Sequence, residues 1–208
     1  MPAPLLAALA GLGLGLSLII AIGAQNAYVL RQGLRREHVA AVVLICALSD
    51  LVLIGLGVGG AGLVFDQVPW LVVAVRFAGA AFLLVYAVLA ARRALRPQQT
   101  LTASDAPTRT SLAVVITTCL ALTWLNPHVY IDTVVLLGSI ASTHGENRWW
   151  FGAGAGVASI AWFTALGVGA RLLAPVFARP IAWRILDGLI ALVMFSIAVS
   201  LVVGAFPG

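Results

Sequence analysis

Apolar residues fill this chain in long blocks separated by short polar connections, at about 5–28, 39–64, 68–91, 111–141, 149–171 and 185–206. The hydrocarbon core of a bilayer, about 30 Å thick, is crossed by roughly 20 residues of α-helix, so every block is long enough to span it. Segments of about ten residues alternating apolar and polar, the mark of a membrane β-barrel, do not occur. A chain in lipid must also satisfy its backbone within each span, which leaves helices. The pattern predicts an all-α polytopic membrane protein with six transmembrane helices in a single membrane domain, 1–208. A first half of three spans (1–91) is joined to a second half (111–208) by one polar connection, 92–110, of sequence RRALRPQQTLTASDAPTR over 92–109.

Composition excludes the soluble alternative. Apolar residues make up 62% of the chain and charged residues only 9%, against about 25% charged in soluble domains; mean hydropathy is +1.09. Nineteen charged side chains cannot cover a water-facing surface of this size, so lipid must. The amino-terminal stretch MPAPLLAALAGLGLGLSLIIAIGAQ carries no Lys or Arg, so it lacks the charged start of a secretory signal and is expected to stay as a membrane helix.

All twelve basic residues are Arg, and their distribution predicts orientation, because positive charge is retained on the cytoplasmic side. Ten lie in connections on one side: Arg31, Arg35 and Arg36; Arg92, Arg93, Arg96 and Arg109; Arg171, Arg179 and Arg184. The opposite connections hold only Arg148. Six spans then put both termini outside, and the two halves enter from opposite sides. Any internal repeat is therefore two inverted three-helix units, an arrangement that secondary transporters use; QNAYVL at 25–30 set against PHVYID at 127–132 is a faint echo of one. The dispersed Arg residues, with no basic cluster interleaved with aromatics, give no reason to expect nucleic acid as a partner. Gly11 with Gly15, Gly55 with Gly59 and Gly152 with Gly156 stand four apart, a spacing that lets helices approach closely. Contact within the bundle is the first expectation there, and a homo-oligomer interface the second.

Ionisable side chains inside spans cost about 2.5 to 3.5 kcal/mol each at the helix centre, so the few that occur need a reason. Asp50 lies eleven residues beyond the start of the second span, about 16 Å along a helix and near the midplane. Asp132 follows a weak point in the fourth span, and Arg76 lies at a similar depth in the third, where it can pair with Asp132 or reach the interface. Asp187, three residues after Arg184, is expected to pair with it on one helix face. The fourth span is too long for one straight crossing, and Asn126 and Pro127 stand near its middle, where proline removes a donor and breaks the helix. The first span has a parallel weak point at Gly23, Ala24, Gln25 and Asn26. Broken helices at membrane depth offer amide donors and half-helix amino ends to a carboxylate, and carbonyls to a cation. Amides for an anion and two Asp for a cation suit an amino acid with a cationic side chain. A proton can use the same carboxylates, since burial favours the neutral acid and a bound cation the ionised form, the opposition that exchange between the two requires.

Four stretches together, AIGAQNAYVLRQGLRREH (21–38), LSDLVLIGLGVGG (48–60), VRFAGAAFLLVYA (75–87) and TWLNPHVYIDTVVLLGSIA (123–141), resemble the lysine/arginine exporter (LysE) family of bacterial inner-membrane transporters. The resemblance covers the first half and the start of the second, and the length and six spans agree with it. It implies efflux of basic L-amino acids, arginine and lysine, driven by the membrane potential or the proton gradient, with no enzymatic activity and no cofactor. It places Gln25, Asn26, Asp50, Arg76, Asn126, Pro127 and Asp132 at the family's motif positions. GAQN, where related homoserine/threonine exporters have a PGPN type of sequence, points to the basic-substrate branch. The aromatic and glycine expected after the third-span Arg appear here as Phe77 and Ala78, a mild change. His128, beside Pro127, is a further candidate as a titratable group, whereas His38 and His144 are expected to be solvated in loops. The alternatives are export of a neutral amino acid or a metal cation, for which Cys46, Cys119 and His128 offer few ligands, and an intramembrane thiol carrier using Cys46 and Cys119.

Overall fold

A computed structural model describes residues 2–20, 23–60, 69–95 and 110–203, with the side chains of residues 69–72 and 75 excepted. Asp66, most of the polar connection between the halves and the ends of the second and last predicted spans lie outside the described residues. The described chain is helical throughout: α1 (Ala3–Ile19), α2 (Ala24–Arg35), α3 (Val39–Val58), α4 (Pro69–Leu95), α5 (Leu112–Trp124), α6 (127–143), α7 (Arg148–Gly169) and α8 (Pro180–Val203). α6 is not uniform. It is α-helical over Pro127–Val129, a π-helix over Tyr130–Leu136, and α-helical again over Leu137–Thr143.

Four helices, α3, α4, α7 and α8, are each long and apolar enough to cross a bilayer; the pairs α1 with α2, bent by 82°, and α5 with α6, bent by 57°, bring the number to six if each is one span. Four to six candidate spans agree with the predicted all-α, multi-pass membrane fold, and the predicted fourth span is broken between α5 and α6. α8 illustrates how the pattern works. Leu186, Ile190, Met194, Ala198 and Leu201 recur at three and four residues and are buried, whereas Ile185, Leu189, Leu192, Val199 and Val203 stay exposed. An apolar outer stripe is what lipid, and not water, accepts. Trp149 and Trp150, exposed at the start of α7, suit the amphipathic zone at the bilayer surface.

Without a hydrophobic drive between helices in lipid, association rests on close packing. α1 lies along α7 and α4 along α8. On the first seam a Cβ at Gly11 would fall on the Phe151 carbonyl, and one at Gly154 on the Ala8 carbonyl. Gly15, Gly152 and Gly156 also meet neighbouring helices, as their spacing predicts, but Gly55 faces open space and Gly59 meets only its own helix. α3 crosses α6 where Gly57 opposes Gly138, so that a Cβ on either would collide with backbone of the other helix. That crossing holds α3 against the π-helical segment.

At the arginine-rich end, Arg36 and His38 adopt left-handed conformations (φ 55° and 50°) in the turn from α2 to α3, a strain of roughly 1–2 kcal/mol each for a side chain with a Cβ. The turn is tied down: the His38 ring donates through Nε2 to the Thr110 carbonyl (2.9 Å), and Thr110 Oγ1 donates to Glu37 Oε2 (3.2 Å). His38 is therefore a partly buried bridging residue and not a solvated one. His144 likewise stacks on Phe151, ring centroids 4.9 Å apart.

Candidate functional site

Both weak points read from the sequence are real helix breaks. In the first span α1 ends at Ile19 and α2 begins at Ala24, with Gly23 extended as its cap. Asn26 Nδ2 donates to the Ile19 carbonyl (2.6 Å), one of those left open when α1 stops, and Trp162 Nε1 donates to Asn26 Oδ1 (3.2 Å). In the fourth span α5 ends at Trp124, Asn126 is extended and Pro127 opens α6, as its missing donor favours. Asn126 Oδ1 accepts from the His128 amide (3.2 Å), and Tyr130 Oη donates to the Trp124 carbonyl (2.7 Å). Trp124 Nε1 in turn donates to Ser49 on α3 (3.2 Å). At each break an open carbonyl is capped by a side chain from the far side, and a Trp ring ties the junction to another helix.

The two breaks border one cavity of about 220 Å³, below the roughly 300–1,000 Å³ of sites for drug-sized ligands and suited to a single small metabolite. Gly23, Ala24, Gln25 and Asn26 line it from the first break, Asn126, His128, Asp132 and Thr133 from the second, and Asp50 from α3. Asp50 is 6% exposed, and its Oδ2 accepts from Ser159 Oγ on α7 at 2.8 Å. Among the described residues no ion pair neutralises Asp50. Gln25 adds an unused donor, since its buried Nε2 has no hydrogen-bond partner among the described residues. Asp132 stands in the π-helical segment, partly buried. A π-turn leaves backbone carbonyls shifted from the regular ladder and recurs at functional sites.

Of the eight residues singled out in the sequence, Gln25, Asn26, Asp50, Asn126, Asp132 and His128 line this cavity. Pro127 is buried and shapes the break without lining the cavity. Arg76 lies on α4 and is not among the described lining residues. His128 is exposed at the cavity's edge. Asn26 is the one whose reading changes most, because both ends of its amide are committed to holding the break. Ser159 and Trp162 were not anticipated. Each is a polar-headed side chain in the apolar run GVASIAWF, and that was the only signal available.

Asp187 is a correction. It is buried and does not pair with Arg184; it takes Arg31 (3.2 Å) and Arg93 (3.2 Å), while Arg184 Nε donates to the Ala94 carbonyl (3.0 Å). The pairing joins α2, α4 and α8, which sequence spacing cannot foresee. Cys46 and Cys119 are both buried free thiols in the main apolar cluster. No three His, Cys, Asp or Glu side chains converge among the described residues as a metal site would require.

Residues 16–205 match the family described as LysE type translocator. A protein of Mycobacterium tuberculosis, named as a candidate amino-acid transporter, is 49% identical over 188 residues, 90% of this chain and 92% of its own length. The lysine exporter LysE of Corynebacterium efficiens is 37% identical over 219 residues (92% and 96%), and the arginine exporter protein ArgO of Salmonella newport 42% over 192 residues (92% and 90%). No solved structure matches the chain.

Proposed function

The chain belongs to the LysE family of translocators, and from that premise we propose that it exports amino acids from the cytoplasm, with arginine, and secondarily lysine, as cargo. The observation that carries this reading is a buried carboxylate, Asp50, beside an unused amide donor, Gln25, in a cavity the size of one small metabolite. A cationic side chain lies toward Asp50 and Asp132. The α-carboxylate lies toward Gln25 Nε2 and the opening amides of α2, where the helix dipole is positive. The amides that begin α6 form a second such end.

The two bent spans are the elements that move. Each is a pair of shorter helices joined at the cavity, and rocking of one half against the other exposes the cavity to either side in turn. The arginine-rich end faces the cytoplasm. Export of one positive charge against an inside-negative potential costs about 2.3 kcal/mol per 100 mV, whereas exchange for one entering proton is electroneutral, and Asp50 and Asp132 are the groups that alternate between proton and cargo.

The test is radiolabelled arginine flux in proteoliposomes, with and without an imposed pH gradient and potential, for the parent and for Asp50→Asn. Gradient-dependent flux lost in a correctly inserted variant supports the reading. Absence of arginine or lysine flux from active, inserted parent protein would sink it and turn the search to neutral amino acids.

A further inference from the structure

A second cavity, about 330 Å³, lies between α2, α4 and α5 at the arginine-rich end. Its polar wall carries Arg31, Arg35 and Arg93. Arg35 is matched by Glu37 at 3.0 Å, but Arg31 and Arg93 share the single carboxylate of Asp187. One positive charge is therefore in excess among the described residues. Arg31 Nε and Arg93 Nη2 are buried donors without a partner there, and Gln32 Oε1 is a buried acceptor in the same condition. Unsatisfied charged donors of this kind cost free energy unless something supplies acceptors. Tyr86 lies under the Arg93 guanidinium, 5.7 Å from ring centroid to Cζ, and holds it in place.

The opposite wall is apolar and open to lipid. Val85, Leu89 and Val114 line the cavity and are 61%, 46% and 53% exposed. A site with a cationic head and a lipid-facing apolar flank fits an amphiphile whose head is anionic. A basic amino acid does not fit, because the excess positive charge repels its side chain. We propose that this cavity is a binding site for an anionic glycerophospholipid, its phosphate on Arg31 and Arg93, a headgroup hydroxyl on Gln32 and an acyl chain along Val85 and Leu89. The proposal does not depend on which cargo the central cavity carries.

Native mass spectrometry of the full-length protein in detergent, titrated with dioleoylphosphatidylglycerol or dioleoylphosphatidylcholine, reads it out. The parent retains the anionic lipid at least about fivefold more strongly than the zwitterionic one. Arg93→Gln removes the excess charge and leaves Arg31 paired with Asp187, and it lowers retention of phosphatidylglycerol about tenfold, the equivalent of one charge-assisted hydrogen bond. Val85→Trp fills the apolar flank without touching any charge and also weakens retention, so the proposal stays testable if Arg93→Gln fails to fold. Equal retention of both lipids by the parent overturns it, as does retention of phosphatidylglycerol that Val85→Trp leaves unchanged. Displacement of the lipid by inorganic phosphate at millimolar concentration assigns the site to free anions, and displacement by free arginine assigns it to cargo; either result overturns the lipid assignment.

Discussion

The two cavities lie about one helical turn apart along α2, the first reached by Ala24 and Gln25 and the second by Tyr28 and Arg31, yet their charges are opposite. The central one is lined by Asp50 and Asp132, and no Arg is among its described lining residues; the one at the arginine-rich end is lined by three Arg, with Asp187 set behind them. Between them Tyr28 packs edge-on to Tyr86 at 6.2 Å and accepts from Gln32 Nε2 at 2.9 Å. The difference teaches that the two proposed ligand assignments rest on the sign of local charge more than on cavity volume. A cation has a counter-charge in the smaller cavity and is repelled from the larger.

Six substitutions, in four sets, break or sharpen that contrast. Asp50→Asn, which removes the counter-charge while keeping shape, is expected to lower arginine flux about 100-fold, since a lost buried charge pairing is worth several kcal/mol; Asp132→Asn, at a less buried position, is expected to lower it about tenfold. Flux in proteoliposomes checks both. Gly138→Val drives a side chain into the α3 backbone at Gly57. Overpacking of this kind costs typically 1–3 kcal/mol, so a fall in thermal midpoint should accompany loss of transport as α3 moves away from the π-helical segment. Gln25→Ala and Asn26→Ala, neighbours in sequence, should separate cleanly. The first removes a donor with no partner among the described residues and should raise KM with an unchanged midpoint. The second uncaps the Ile19 carbonyl and releases Trp162, at about 1–3 kcal/mol of stability. Arg93→Gln, confined to the other cavity, should leave arginine flux within about twofold of the parent when assayed in zwitterionic lipid.

Much of this arrangement was legible in the sequence because a few residues have only one physical use. Pro127 cannot continue the hydrogen-bond ladder, and Asn126 is a natural cap, so the break in the fourth span could be placed to the residue. Asp50 stands alone in an apolar run, where only a buried function or a buried partner would retain it. Other features have no one-dimensional trace. The π-helix around Asp132 differs from an α-helix only in hydrogen bonds that reach one residue further, over seven residues, and no residue type marks it. Asp187 had a plausible partner three residues away, but its true partners lie on two other helices, brought to it by the packing of α4 along α8. Asn26 belongs to the motif in sequence, yet its amide is spent on the Ile19 carbonyl and on Trp162, a role visible only once α7 is in place. Gly55 and Gly59 carry the same spacing as Gly152 and Gly156 but face outward, because spacing states which residues share a face and not what that face meets.

The most direct test of the central claim is competition in arginine counterflow. Proteoliposomes loaded with unlabelled arginine accumulate labelled arginine while excess external arginine, lysine or citrulline is supplied; citrulline keeps the shape of arginine and removes its charge. If a buried carboxylate selects the cargo, arginine and lysine suppress accumulation and citrulline at about 100-fold excess does not, the discrimination expected when a buried charge is left unpaired. Suppression by citrulline equal to that by arginine would contradict the account, because the cavity would then be reading shape without charge.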